Sequence, residues 1–376
     1  MSILQQFKSI NRLVSAGYNS HFNYDCVQLH EKFSRTLPLI NQSKGVDRVV
    51  DLYPYSSQLN FSQPASYIIH DTELFYLNHR SSLPFLRYGD SYFGLDDFKL
   101  YKCDTDPSLR YLAKYLLSAA LPPLHITSEP LLVIPGDMKC GFYHWIHDFL
   151  PSLIYLKRYV GDYSSYKLFL PSLLYKYQYS TLRLLSIDLT QILDLKSSPF
   201  NRILIGGSNK LISPLSIPGN PTPTTINLLT SEFVQKILVS PPSTRNLPSK
   251  FYIIRQKAGS NSQRVFYSDC AIEKLAKYGY SPVVLENLSF IDQCHLFAGA
   301  KSIISPHGAG LSLLFLAPKT ARIVEIQNSP LHNPCYWALC NVCDLSYYCF
   351  DIYQGNKIQE LSGRSVSTIL ELLCDQ

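Results

Sequence analysis

The last third of the chain constrains the fold most, because short β-branched or apolar runs alternate there with longer amphipathic ones. Phe251-Tyr-Ile-Ile-Arg255, Ser281-Pro-Val-Val-Leu285, Lys301-Ser-Ile-Ile-Ser305 and Ala321-Arg-Ile-Val-Glu-Ile326 read as strands. Ser268 to Tyr278 and Ser289 to Ala298 read as helices between them, the first with Asp269 and Glu273 in its opening turns, where acidic groups suit the helix dipole. Leu331 to Asn341 and Leu345 to Ile352 complete the run. Such alternation predicts a parallel, doubly wound sheet, whose ligands lie outside the carboxyl ends of the strands.

At 376 residues the chain is long enough for two or three domains. Ser213 to Thr224 carries four prolines, and Pro241-Pro-Ser-Thr-Arg-Asn-Leu-Pro248 is a second polar stretch, with a helix at Leu228 to Val239 between them. Both read as inter-domain connections. Upstream, strands at Leu131 to Ile134, Tyr166 to Leu170 and Ile203 to Ile205 alternate with helical patterns at His144 to Tyr159 and Leu173 to Leu185, which predicts a second α/β layer. Val366 to Cys374 reads as a closing helix, and residues 1–130, rich in Tyr and Phe, show no clean periodicity.

Composition narrows the class. Apolar residues are 46% and charged residues 16% of the chain, which excludes a disordered protein. The net charge of +6 is spread without a basic run and gives no footprint for nucleic acid. No run of 18 apolar residues occurs, and the start, MSILQQFKSINRLV, lacks the basic and apolar regions of a secretion signal. Ten cysteines at irregular spacing then read as reduced thiols, and a cytoplasmic location is expected.

The predicted strand ends are polar. Arg255 ends the first strand, Glu286-Asn287 the second, Ser305-Pro-His-Gly-Ala-Gly-Leu311 the third, and Glu325 stands near the end of the fourth. Gly308 and Gly310, at a turn from strand into helix, let backbone N–H groups approach a phosphate, and Arg255, Lys257 and Arg264 flank an Ala-Gly-Ser-Asn-Ser loop with positive charge. This is the pattern of a nucleotide site; a tight turn with solvated arginines is the plainer alternative. Neither a Gly-x-Gly-x-x-Gly nor a Gly-x-x-x-x-Gly-Lys-Ser segment is present.

A second constellation is Cys140-Gly-Phe-Tyr-His-Trp-Ile-His-Asp-Phe-Leu-Pro151. His144, His147 and Asp148 are spaced i, i+3, i+4, which predicts one face of one helical turn. Histidine beside a carboxylate makes a general base with its orienter; the same three residues can bind a metal or serve the helix end.

Together, Phe142-Tyr-His-Trp with Asp148 and Leu150-Pro151, Tyr252-Ile-Ile-Arg255 with Arg264, Gln293, and Ser305-Pro-His-Gly-Ala-Gly-Leu311 with Phe315 and Val324-Glu-Ile326 resemble glycosyltransferase family 61, over about residues 131–330. The resemblance implies an α/β fold of two Rossmann-like lobes facing a cleft, the B-type glycosyltransferase fold. It implies inverting transfer from a nucleotide sugar to a hydroxyl of a glycan or glycolipid acceptor, with no cofactor and no obligatory metal. By analogy the product is a surface or exopolysaccharide, made in the cytoplasm or peripherally at the inner membrane face. On this basis 1–225 is an acceptor-side domain, 226–360 a donor-binding domain and 361–376 the closing helix. His144, His147 and Asp148 become the catalytic candidates; the family more often has Glu at the acidic position, so the base stays open among the three. Arg255, Lys257, Arg264, His307, Gly308, Ala309, Gly310, Leu311 and Glu325 become the donor-binding set, with Glu325 accepting from ribose or sugar hydroxyls and His307 reaching a phosphate. A non-catalytic subunit that binds nucleotide or glycan is the alternative.

Two competing signals are weaker. Asp104-Thr-Asp106 has the spacing of a metal–diphosphate site, but Pro107 follows, which favours an Asx turn ahead of a helix at Ser108. Cys335, Cys340, Cys343 and Cys349 have iron–sulfur-like spacing, but Tyr336-Trp-Ala-Leu is helical in pattern, which favours buried thiols.

Overall fold

The computed structural model describes residues 141–160, 165–171, 175–195, 200–211, 221–243, 246–255, 265–328, 333–353 and 359–374, and strand segments between residues 7 and 133. The chain divides into two compact units, Met1–Glu31 with Asn60–Pro218, and Lys32–Leu59 with Gly219–Gln376.

The second unit is built on a six-stranded sheet in the order Ser281–Val283, Lys250–Ile253, Ser302–Pro306, Arg322–Gln327, Ser346–Asp351 and Leu39–Asn41. Every pairing in it is parallel. Taken along the chain from Lys250, its strands lie in the order second, first, third, fourth, fifth, so the winding reverses between Lys250–Ile253 and Ser302–Pro306. That reversal opens the crevice in which ligands bind in sheets of this kind.

Both faces of the sheet are covered, which is why its strands read as continuous apolar runs. Tyr252, Ile304, Val324, Ile326, Tyr348 and Phe350 point to one face, into a core shared with Ala271 and Leu275 of the Asp269–Lys277 helix and with Val366, Ile369, Leu370 and Leu373 of the Gly363–Cys374 helix. On the other face Phe251 meets Phe297 of the Phe290–Ala298 helix at 5.7 Å, while Phe233 of the Pro223–Val239 helix meets Phe290 and Phe315. Helix starts follow the expected chemistry: Ser268 Oγ accepts from the Ala271 amide and Ser289 Oγ from the Asp292 amide.

The first unit carries a nine-stranded sheet that is only partly parallel. Leu131–Val133, Lys167–Pro171 and Ile192–Leu195 run parallel, linked by helical segments at 142–160 and Lys176–Leu184. Phe200–Leu211, however, lies antiparallel to Tyr67–Leu77, which continues through antiparallel pairs into Phe85–Tyr88 and Ser91–Gly94. The α/β class expected from sequence is present, and among the described residues the sheet of this unit is mixed. Register shifts between Ile205 and Ser208, at Gly206-Gly207, mark a bulge that bends the long strand. Among the described residues no helix is long and apolar enough to cross a membrane.

Candidate active site

The run 142–160 is helical throughout but not uniformly α. Phe142–His144 and Leu150–Tyr155 are α, while Trp145–Phe149 is a π turn in which the Leu150 amide donates to the Trp145 carbonyl, and Leu156–Val160 is a second π segment. Pro151 gives the local reason: it has no N–H to return to the His147 carbonyl and its ring crowds that position. Such π turns are rare and concentrate at functional sites.

The turn splits the face expected of His144, His147 and Asp148. His144 Nδ1 lies 2.5 Å from Asp148 Oδ2, the two side chains 31% and 11% exposed. His147 instead points inward, 1% exposed, with its ring 4.6 Å from that of Tyr143. Trp145, which stacks on Phe149 and donates to Thr181 Oγ1 at 2.8 Å, anchors the turn in the core. The solvent-reaching pair is therefore His144 with Asp148.

In the second unit, Arg255 leaves the end of Lys250–Ile253 and His307-Gly308 leaves the end of the adjacent Ser302–Pro306, on either side of the winding reversal. Arg255 Nη1 donates to the His307 carbonyl at 3.4 Å. Its guanidinium lies where a side chain on Gly308 would start: a Cβ there would sit 2.1 Å from Nη2. Gly308 also has φ +152°, so backbone and space both call for glycine. Arg255 is exposed, and no carboxylate pairs with it among the described residues.

The rest of the turn differs from expectation. No helix follows Gly308; Ala309–Leu311 is a single 3₁₀ turn, so no helix N-terminus faces a phosphate here. The Leu311 amide is taken by the Gly308 carbonyl at 3.0 Å and its side chain is fully buried, which makes Leu311 a core residue. Gly310 permits close packing, since a Cβ would lie 3.0 Å from Leu285 Cδ1. Gln293 holds the neighbouring loop by donating to the Leu285 carbonyl at 2.9 Å.

Glu325 also differs from expectation. It is 0% exposed and its oxygens face inward: Oε1 meets His307 Nδ1 at 2.5 Å and Gln327 Nε2 at 3.1 Å, and Oε2 accepts from the Tyr347 hydroxyl at 2.5 Å. It stands behind His307, enclosed by these three partners. Tyr336 packs its ring 5.3 Å from that of His307, and burial pushes its hydroxyl well up, so it stays protonated. Gln327 was foreseeable, being two residues from Glu325 on the same strand face. Tyr347 and Tyr336 come from other elements and left no local signal.

Lys257, Arg264, Asp104 and Asp106 lie outside the described residues. Cys335, Cys340 and Cys343 share the Cys335–Cys343 helix and Cys349 a neighbouring strand. Burial raises the Cys340 thiol and pushes that of Cys343 up to about 12, which disfavours thiolate. Among the described residues no group of three or more His, Cys, Asp or Glu side chains could hold a metal ion.

Residues 142–324 match the family model of glycosyltransferase 61. The glycosyltransferase 61 segment opens on the turn that carries His144 and Asp148, and includes Arg255, His307 and Gly308. No curated protein matches the chain.

Proposed function

We propose that the chain is an inverting glycosyltransferase that moves a sugar from a nucleotide-sugar donor to a hydroxyl of a glycan or glycolipid acceptor. The observation that carries the reading is the Arg255–Gly308 contact at the winding reversal of an all-parallel sheet, inside the glycosyltransferase 61 segment. A cation at that crevice with no carboxylate on it among the described residues suits a phosphate.

In this mechanism the acceptor hydroxyl gives its proton to His144, which Asp148 orients through Nδ1. The acceptor oxygen forms its bond to the anomeric carbon as the bond from that carbon to the diphosphate oxygen breaks, which inverts the centre. Negative charge collecting on the leaving diphosphate is met by Arg255 and His307. The B-type arrangement, with the donor held by the C-terminal unit and the acceptor activated from the N-terminal one, belongs to the proposal. So do metal-independent turnover, a role in surface or exopolysaccharide synthesis, and a cytoplasmic or peripheral location at the inner membrane face.

The test is His144→Ala, measured as nucleotide released from sugar nucleotides and as nucleotide bound. Loss of release by about 10²-fold or more, with binding kept, is expected of a base. Equal release by the variant and the parent contradicts the assignment, and no release by either favours a binding subunit.

A further inference from the structure

We propose that Glu325 is a positioning residue: it commits His307 to a proton on Nδ1 and turns Nε2 outward beside Arg255, so that His307 grips a phosphate oxygen only when its ring carries a second proton. The phosphate is the donor's, and to that extent the inference rests on the reading above.

The geometry makes the assignment. Glu325 is wholly enclosed, in the middle of the parallel sheet, and three donors converge on it from three elements: His307 Nδ1, Gln327 Nε2 and the Tyr347 hydroxyl. As proposed, this carboxylate is ionised and so acceptor-only, which puts the hydrogen of the 2.5 Å contact on Nδ1. Gln327 Nε2 is itself tied to the Asn333 carbonyl at 3.3 Å, which keeps the carboxylate from turning away. The His307 backbone is clamped as well, its amide on the Ile326 carbonyl at 2.9 Å and its carbonyl on Arg255. Ring and backbone are therefore both fixed, with the side chain 29% exposed and no partner for Nε2 among the described residues.

A histidine held in this way has one free nitrogen, and what that nitrogen can do depends on protonation. In the neutral ring Nε2 presents a lone pair, which repels an anionic oxygen; in the doubly protonated ring it donates. The groups that face His307 set this choice. They are the Glu325 carboxylate, the Gln327 amide, the Tyr336 ring and the Arg255 guanidinium. A diphosphate oxygen should therefore be held through Nε2 only by the doubly protonated ring. Replacing Glu325 by Gln removes the commitment, because an amide can donate to Nδ1 and so admit a neutral ring protonated on Nε2.

Two measurements on the full chain test this, with inorganic pyrophosphate as the probe and His307→Gln supplying the probe's own titration. In histidine-labelled protein, the ¹⁵N spectrum should show Nδ1 of His307 protonated across the neutral range; an unprotonated Nδ1 overturns the proposal, whether or not any variant folds. The pyrophosphate dissociation constant should rise about tenfold or more in the parent from acid to alkaline pH, the loss of one charge-assisted hydrogen bond. In Glu325→Gln that rise should shrink to about a third or less, whereas Arg255→Ala should bind weakly at every pH with the parent's profile. An unchanged profile in Glu325→Gln overturns the proposal. A spectrum as expected with no pyrophosphate bound overturns the donor reading and leaves the Glu325–His307 arrangement standing.

Discussion

Gly308 is the residue on which the candidate donor site turns, since Arg255 fills the space a side chain would take. Gly308→Ala should displace the guanidinium without unfolding the sheet and weaken nucleotide binding by about tenfold or more; parallel titration and thermal melts check this, and unchanged binding would remove the contact from the site. Thiol reactivity is a second outcome at this scale. Burial raises the Cys294, Cys340 and Cys343 thiols, whereas Cys270 is exposed. Alkylation of the native protein near pH 8 should therefore label Cys270 and spare Cys294 and Cys340 until it unfolds, as peptide mapping would read. Arg255, His307 and Gly308 were legible because strand ends of a parallel sheet can be located from apolar runs. The inward turn of Glu325 was not, because a strand residue's face is set by its neighbours in the sheet and by the helix above it.

At the scale of the element, spacing misled at His147. The i, i+3, i+4 rule assumes an α-turn, and Pro151 replaces it with a π turn that keeps His144 on Asp148 while sending His147 into the core. Pro151→Ala restores an N–H at this position and removes the ring that crowds the His147 carbonyl. It should stabilise the unit by about 1–3 kcal/mol while lowering turnover, measured by chemical denaturation and by nucleotide release. The closing helix offers a plainer test: Ile369, fully buried against the sheet, should cost about 2–5 kcal/mol when truncated to Ala. Most strands of the C-terminal sheet were readable because burial on both faces makes them continuous. Phe200–Leu211 was visible only as Ile203 to Ile205, since the bulge at Gly206-Gly207 breaks its alternation.

For the whole molecule, the least legible feature is the edge strand Leu39–Asn41, which pairs with Ser346–Asp351 from the far end of the chain. Three residues carry no pattern, and only the assembled sheet selects them. The antiparallel pairing of Tyr67–Leu77 with Phe200–Leu211 is equally non-local, which is why the first unit could be assigned a class but not a topology. The glycosyltransferase 61 match covers His144 with Asp148 and Arg255 with His307 and Gly308, ends just before Glu325 and stops short of the N-terminal strands. The donor crevice therefore decides whether the chain handles a nucleotide sugar. Calorimetric titration of the full chain with UDP, GDP and ADP, with and without chelator, tests it most directly when run beside Arg255→Ala. One nucleotide should bind with a dissociation constant on the order of micromolar, survive chelation and lose at least about tenfold in the variant. No binding by any of the three, or equal binding by parent and variant, would contradict the donor reading.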